Sequence, residues 1–121
     1  MSLVLIIEDN EQNLYLEKYL LEKNGYNVEF AKDGMEALCK LEKIFPDLIL
    51  LDIQLPNMDG YEVAKRIRNF EKHINTPIVA VTSYAMPGDR EKALEAGCNG
   101  YIEKPINPDT FIMEIEKFKK S

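Results

Sequence analysis

The sequence predicts an α/β fold in which five helices cover a doubly wound, five-stranded parallel sheet. Short apolar or β-branched runs alternate with longer segments of helical periodicity, at 3–7, 27–31, 47–52, 77–82 and 100–104. The runs at 48–51 and 78–81 are continuously apolar, as expected for central strands that are buried on both faces. Right-handed crossovers between parallel strands favour the strand order 2-1-3-4-5.

The first three helices are predicted from periodicity and capping signals. The first covers about 11–24 and stops at Gly25, a residue suited to the left-handed position that follows a helix. The second and third begin at "DGME" and "DGYE". In both, an aspartate (Asp33 or Asp59) can cap the helix, and a glutamate three residues later can reach back to the cap.

The fourth and fifth helices complete a regular βα rhythm. The fourth is expected near 87–96, ending at Gly97. The fifth opens at "NPDT", with Asn107 as the cap and Pro108 as the first helical residue. With the order 2-1-3-4-5 the fold is therefore expected to be flavodoxin-like.

Composition indicates one globular domain spanning residues 1–121, which is 45% hydrophobic and 30% charged. The 21 acidic and 15 basic residues give a net charge of −6, which argues against direct nucleic-acid binding. No stretch approaches the roughly 18 apolar residues of a membrane span, and the opening lacks the features of a signal peptide. A cytoplasmic protein is therefore expected. Cys39 and Cys98 lack metal-site spacing and are expected in or near the core.

Polar side chains follow four of the predicted strands at the point where each strand ends. A carboxylate directly after an apolar run is costly to desolvate, so its position needs a reason. Because the carboxyl ends of parallel strands line one crevice, these side chains are expected to lie together. They are Glu8 and Asp9, then Asp52, then Thr82 and Ser83, and finally Lys104 with Pro105.

The chemistry of this set favours a divalent cation and a phosphoryl group. Two carboxylates about 4 Å apart repel by about 4 kcal/mol at an effective dielectric near 20, and an all-oxygen pocket suits Mg²⁺. Zinc is disfavoured because the single histidine, His73, falls in the loop after the third helix. Metal binding alone leaves Thr82 and Lys104 without a role. If Asp52 is a nucleophile that forms an aspartyl phosphate, Lys104 balances the added charge and Thr82 donates a hydrogen bond.

Four segments carry a family resemblance: "IIEDNEQN", "LILLDIQLPNMDG", "PIVAVTSYAM" and "GYIEKPI". In this order they resemble the receiver domain of two-component response regulators, over essentially the whole chain. The acceptor and the hydroxyl are 30 residues apart, and the hydroxyl and the lysine are 22 apart. The combination looks closest to DivK-like single-domain regulators and to receivers of hybrid kinases.

The resemblance implies a phosphoacceptor and a metal site. Asp52 matches the phosphoacceptor. Glu8 and Asp9 match the acidic pair that holds Mg²⁺, with Asp9 the more direct ligand and Glu8 acting through water. Gln54 would add its backbone carbonyl to the metal, next to Asp52 itself.

The resemblance also implies a switch. Thr82 matches the switch hydroxyl, Lys104 the phosphate-binding lysine, and Tyr101 the aromatic residue that turns inward when the hydroxyl moves. The Lys104–Pro105 peptide bond would be cis. Gln54 and Tyr84 occupy positions that vary in the family and tune dephosphorylation, so the phosphate lifetime stays open.

The function implied is a phosphorylation-activated switch that uses Mg²⁺. A histidine kinase or histidine phosphotransfer protein would donate to Asp52, and the altered surface would act on an unidentified downstream protein. The chain would catalyse only its own phosphorylation and dephosphorylation, and so is not expected to be an enzyme. It would act as a monomer or weak dimer, with no membrane contact.

Three other functions are weighed against this one. A receiver-fold module that binds its partner unphosphorylated stays open. An aspartyl-phosphate phosphatase of the haloacid-dehalogenase type would need a second aspartate at position 54, where the chain has Gln54. A flavin or dinucleotide site would need a Ser/Thr/Gly-rich loop or G-x-G-x-x-G after the first strand, and "EDNEQN" is an acidic loop.

Overall fold

A single parallel sheet organises the protein, and the computed structural model describes residues 2–83 and 87–118. The strand order is β2-β1-β3-β4-β5, which confirms the predicted topology. Each strand bound lies within one residue of its prediction. The strands are β1 (Leu3–Ile7), β2 (Asn27–Ala31), β3 (Leu48–Asp52), β4 (Ile78–Thr82) and β5 (Gly100–Glu103).

Helices cover both faces of this sheet. A 3-10 turn, Glu71–His73, follows the third helix. Within the described residues, none of the helices combines the length and apolar character needed to span a bilayer. The helices are α1 (Glu11–Lys23), α2 (Gly34–Leu41), α3 (Gly60–Arg68), α4 (Asp89–Ala96) and α5 (Phe111–Glu116).

The predicted aspartate caps are present at α2 and α3, although neither helix has the full reciprocal box. Asp33 accepts from the N–H of Glu36 at 2.8 Å. Asp59 caps α3 in the same way, through the N–H of Glu62 at 2.9 Å. The Glu36 carboxylate reaches back one residue further, to the N–H of Lys32. The Glu62 carboxylate instead pairs with an arginine one turn along the helix. In each helix, one aspartate oxygen therefore accepts a hydrogen bond from a first-turn N–H that has no partner within the helix.

The start of α5 differs from the prediction. Asn107 does not cap the helix, because α5 begins only four residues later; its side chain accepts from the N–H of Asp109 at 2.9 Å and closes a local turn. The Asn107 carbonyl then accepts from Thr110 and Phe111, so that α5 begins at Phe111. Asparagine favours such turns as readily as it favours helix caps, and the sequence pattern alone does not separate them.

The core has two layers, one on each face of the sheet. Alternate strand residues point to opposite faces, so β1 sends Leu5 and Ile7 into one cluster and Val4 and Ile6 into the other. The first cluster packs against α2, α3 and α4, and the second against α1 and α5. Cys98 is buried in the first, as expected, but Cys39 is exposed on α2 and the prediction for it was wrong. The helical phase of α2 turns Ala37 and Leu41 inward instead.

The outer edge of the sheet is formed by β2, whose residues are alternately exposed and half-buried up to Ala31. The Lys40 ammonium, from α2, donates to the carbonyl of Phe30 on this edge. It also lies 3.7 Å from the Glu29 carboxylate and 5.1 Å from the centroid of the Phe30 ring. A cation on α2 therefore covers the middle of β2.

At the end of the sheet opposite the strand carboxyl termini, Arg68 joins four segments. Its guanidinium donates to the carbonyls of Gly97 at 2.9 Å, His73 at 2.9 Å and Thr76 at 2.7 Å. It also donates at 2.8 Å to the side-chain oxygen of Asn99. These bonds tie the end of α3 to the end of α4 and to the segments that enter β4 and β5.

Candidate functional site

The parallel register brings the predicted polar residues together at one end of the sheet. Asp52 is the last residue of β3 and lies opposite Val81 of β4. Thr82 ends β4, and its carbonyl accepts from the N–H of Lys104 at 2.7 Å. Glu8 directly follows β1, and its N–H donates to a β2 carbonyl. The sheet therefore delivers one side chain from each of four strand ends to the same crevice.

Three carboxylates form the centre of the crevice. Glu8, Asp9 and Asp52 each place a carboxylate oxygen within 4.8 Å of the others. Glu8 and Asp52 are buried, with 1% and 4% of their surface exposed, whereas Asp9 faces solvent. An oxygen-only set that is open to water on one side matches the coordination of Mg²⁺, which keeps several waters when it binds protein carboxylates.

Lys104 supplies the positive charge in the crevice. Its Nζ lies 2.8 Å from Oε1 of Glu8 and 3.5 Å from Oδ1 of Asp52. Burial lowers the pKa of Lys104, but its hydrogen bond to Glu8 and the charges of Glu8, Asp52 and Glu17 outweigh burial and raise it. The ammonium therefore stays charged at neutral pH and holds two of the carboxylates.

One lysine does not neutralise the whole acidic cluster. Burial raises the pKa of Glu8 to about 7, and the hydrogen bond and charge of Asp52 act in the same direction against the opposing effect of Lys104. At neutral pH the cluster therefore binds a proton readily in the absence of a metal. A divalent cation would supply the missing charge in place of that proton.

Glu17 is a buried acid that the sequence interpretation missed. It lies on α1 with 1% of its surface exposed, and its Oε2 is buried without a hydrogen-bond partner in the described residues. Burial raises the pKa of Glu17 to about 8, and the charge of Glu8 adds to this rise. A sequence signal existed, because Glu17 shares the apolar stripe of α1 with Leu14, Leu20 and Leu21.

Gln54 contacts the acceptor, the hydroxyl and the strand that follows. Its N–H donates to Oδ1 of Asp52 at 3.0 Å. Its side-chain Nε2 lies 3.1 Å from Oγ1 of Thr82, and its Oε1 accepts from the N–H of Ser83 at 3.2 Å. The family resemblance implied a metal ligand in its backbone carbonyl and a position that tunes dephosphorylation, but nothing in the local pattern pointed to these side-chain bonds.

Two further predictions concern Tyr101 and the Lys104–Pro105 peptide bond. The Tyr101 ring packs against the first core cluster, and its hydroxyl is buried without a hydrogen-bond partner in the described part of the chain. The peptide bond between Lys104 and Pro105 is cis. Tyr84 lies outside the described residues.

Gly60 closes the loop that carries the acceptor. Its N–H donates to the carbonyl of Ile53 at 2.9 Å. A Cβ at this position would lie 2.6 Å from Cα of Ile53 and 2.7 Å from the carbonyl oxygen of Asp52. Both contacts are with backbone atoms and are too close for a side chain, so glycine allows α3 to start directly against the acceptor strand.

Among solved structures, the chain is similar to the chemotaxis response regulator CheY4 of Vibrio cholerae, at 32% identity and a TM-score of 0.93 over 98% of both chains. It is also similar to the receiver domain of a sensor histidine kinase from Pseudomonas aeruginosa. That protein shares 35% identity over 97% of this chain and 96% of its own, with a TM-score of 0.89. Its structure contains a magnesium ion coordinated in the active site cleft.

Comparison by sequence identifies the family. Residues 4–116 match the model of the response regulator receiver domain. The polar-differentiation response regulator DivK of Brucella ovis is 44% identical over 115 residues, which cover 95% of this chain and 94% of the relative. The chain therefore belongs to the response regulator receiver domains, the signalling switches of two-component systems.

Proposed function

We propose that this receiver domain accepts a phosphoryl group on Asp52 and signals through the change that follows. The observation that carries the proposal is the buried Asp52 carboxylate, with acidic oxygens within 4.8 Å and the Lys104 ammonium at 3.5 Å. An unreactive strand end would not need this concentration of charge. We take residues 1–121 to act as one domain in the cytoplasm.

The donor is a phosphohistidine on a histidine kinase or a phosphotransfer protein. One oxygen of Asp52 attacks phosphorus, the bond from phosphorus to the histidine nitrogen breaks, and that nitrogen keeps the electron pair and regains a proton from water. The product is an acyl phosphate on Asp52 and a neutral histidine on the donor. Lys104 then pairs with the phosphoryl oxygens as well as with Glu8, and Thr82 donates to another of these oxygens.

The metal set of the proposal is Glu8, Asp9, Asp52 and the backbone carbonyl of Gln54. Mg²⁺ held there would offset the charge that builds up on the phosphoryl oxygens. The fit rests on oxygen-only donors and on the solvent-exposed Asp9, which leaves one side of the cluster open to water.

Output is proposed to pass through Thr82 and Tyr101 to the surface formed by the last two strands and helices. Receiver domains are switches and not classical enzymes, and they act through kinases and downstream targets. The downstream partner proposed here is a protein, bound by a monomer or weak dimer. The phosphatase alternative lacks support because Gln54 carries no carboxylate and its amide is already bonded to Thr82 and Ser83.

Intact mass after incubation with acetyl phosphate tests the proposal directly. The wild-type chain, with Mg²⁺, is expected to gain one alkali-labile phosphoryl group, and the gain should disappear without Mg²⁺ or in Asp52→Asn. Asp59→Asn is the matched control, because Asp59 caps α3 outside the acidic cluster and asparagine can cap a helix equally well. No gain in the wild type, either from acetyl phosphate or from a purified phosphohistidine donor, would favour the unphosphorylated binding module.

A further inference from the structure

A second cleft, here called the helix-end cleft, lies where α2 and α3 end. Its volume is about 740 Å³, within the range of about 300–1,000 Å³ that is usual for ligand pockets. Helices that connect parallel strands run antiparallel to them, so this cleft lies at the end of the sheet opposite Asp52. The residues that line it are Glu42, Asn69, Phe70, Glu71 and Lys72.

One wall of the helix-end cleft is aromatic. The Phe70 ring is half-buried, and its centroid lies 6.0 Å from that of the His73 ring, which is fully buried. The Phe45 ring lies 5.9 Å from the same histidine ring and has 64% of its surface exposed. Exposed apolar side chains that are grouped in this way mark interaction surfaces. The cleft therefore offers apolar contact to a bound group.

The lining also carries two carboxylates, those of Glu42 and Glu71. Both residues are exposed, and neither carboxylate forms an ion pair with another residue that the structure describes. The Lys72 ammonium donates to the main-chain carbonyl of Glu42 at 2.7 Å and lies 5.7 Å from the centroid of the Phe45 ring. Its charge is therefore directed at a carbonyl and a ring. The cleft thus presents carboxylates beside an aromatic wall, which complements a cationic group.

The position of Glu42 works against the local fold. Glu42 caps the C-terminus of α2, where the helix dipole already places partial negative charge. A carboxylate is unfavourable there, and a lysine or arginine would suit the position better. Local choices that oppose folding are expected at functional sites. A cation bound in the helix-end cleft would account for this glutamate.

We propose that the helix-end cleft docks a partner protein through an arginine that stands next to apolar side chains. A planar guanidinium can stack on the Phe70 ring while its N–H groups donate to carboxylates, whereas an ammonium is a compact and strongly hydrated point charge. Because the cleft lies at the opposite end of the sheet from Asp52, the bound partner leaves the crevice open. The cleft is therefore a tethering site, and it does not depend on the proposed phosphoacceptor function.

The tripeptide acetyl-Leu-Arg-Leu-NH₂ is the probe, and its binding to the full chain is followed in ¹H–¹⁵N NMR spectra. Saturable shifts are expected at the amides of Glu42 and of residues 69–72. The same peptide with citrulline, a neutral isostere of arginine, should bind about threefold more weakly or worse. A peptide with alanine in place of both leucines should also bind more weakly, because it buries less apolar surface. Glu42→Gln combined with Glu71→Gln should weaken binding of the arginine peptide about threefold or more, the effect of two exposed ion pairs.

Glu22→Gln combined with Glu91→Gln is the matched control. It removes the same charge from exposed positions on α1 and α4, and it should bind the peptide as the wild type does. The absence of saturable shifts at the cleft, equal binding of the arginine and citrulline peptides, or equal effects of the two double variants would each overturn the proposal. Self-association of the wild type that is lost in the Glu42 and Glu71 variant would also overturn it, because the occupant would then be a second copy of the chain.

Discussion

Replacement of Glu17 by glutamine should make the protein more stable, and the gain should grow with pH. Glutamine keeps the shape of the side chain but does not ionise. The folded state raises the pKa of Glu17 from its ordinary 4.5 to about 8, chiefly through burial. At pH values between 4.5 and about 8, the folded state binds more protons than the unfolded state, so wild-type stability falls as the pH rises.

The size of the effect follows from this shift. One pKa unit corresponds to 1.36 kcal/mol. Relative to a chain in which residue 17 stays neutral, the free energy of unfolding of the wild type is therefore lower by about 1 kcal/mol at pH 5 and by about 4 kcal/mol at pH 8. Glu17 is almost fully buried, so solvent screens this loss little. Glu17→Gln avoids the loss, and its advantage in the free energy of unfolding should widen by about 3 kcal/mol over this range.

Urea unfolding at pH 5, 6, 7 and 8, in Mg²⁺-free buffer with a chelator, measures this advantage. Glu22→Gln is the matched control on the same helix, because Glu22 is half exposed and pairs with Lys18 at 3.3 Å. Its effect should be within about 1 kcal/mol and constant above pH 5. If the free energies of unfolding of the wild type and Glu17→Gln change with pH in parallel, the ionisation of Glu17 does not cause the loss of stability at high pH.

Substitutions at four further positions test the site and the residues that support it. Thr82→Ala should still accept phosphate on Asp52, while the NMR signals of Tyr101 no longer respond to phosphorylation; an unchanged response would refute their coupling. Lys104→Ala should lose both acceptance and response, measured by intact mass and the same spectra, because the phosphoryl charge then lacks its cation. Gly60→Ala should lower the free energy of unfolding by about 1–3 kcal/mol, since its Cβ meets backbone atoms, and unaltered urea unfolding would contradict this. Arg68→Ala should cost about 3 kcal/mol in the same assay, and Arg68→Lys should recover only a fraction, because one ammonium cannot reach four acceptors.

Most of the fold could be predicted because it depends on patterns that are local in sequence. Continuously apolar runs indicate strands buried on both faces, and this holds for β3 and β4, whose residues are all buried. The site followed from topology, since the residue that ends each parallel strand reaches the same crevice. Asp52 could thus be placed beside Glu8 before any distance was known.

The features that could not be predicted depend on distances between separate segments. The Gln54 amide meets Thr82 and Ser83 across 28 and 29 residues, and no local signal marks that contact. Glu17 could have been recognised, because it interrupts an apolar stripe, but its charged side chain suggested an exposed position. Asn107 failed as a helix cap because the chain makes a turn over residues 108–110 before α5 begins at Phe111.

The covered edge of β2 bears on how the protein behaves when it is concentrated. An edge strand offers unpaired main-chain donors and acceptors, on which a strand from another molecule can build. Here the Lys40 ammonium occupies the Phe30 carbonyl and lies beside the Glu29 carboxylate, so an incoming strand would have to displace a charged group and desolvate it. Growth of the sheet from one molecule to the next is therefore opposed at β2, and a signalling protein can reach high local concentration without aggregating through this edge.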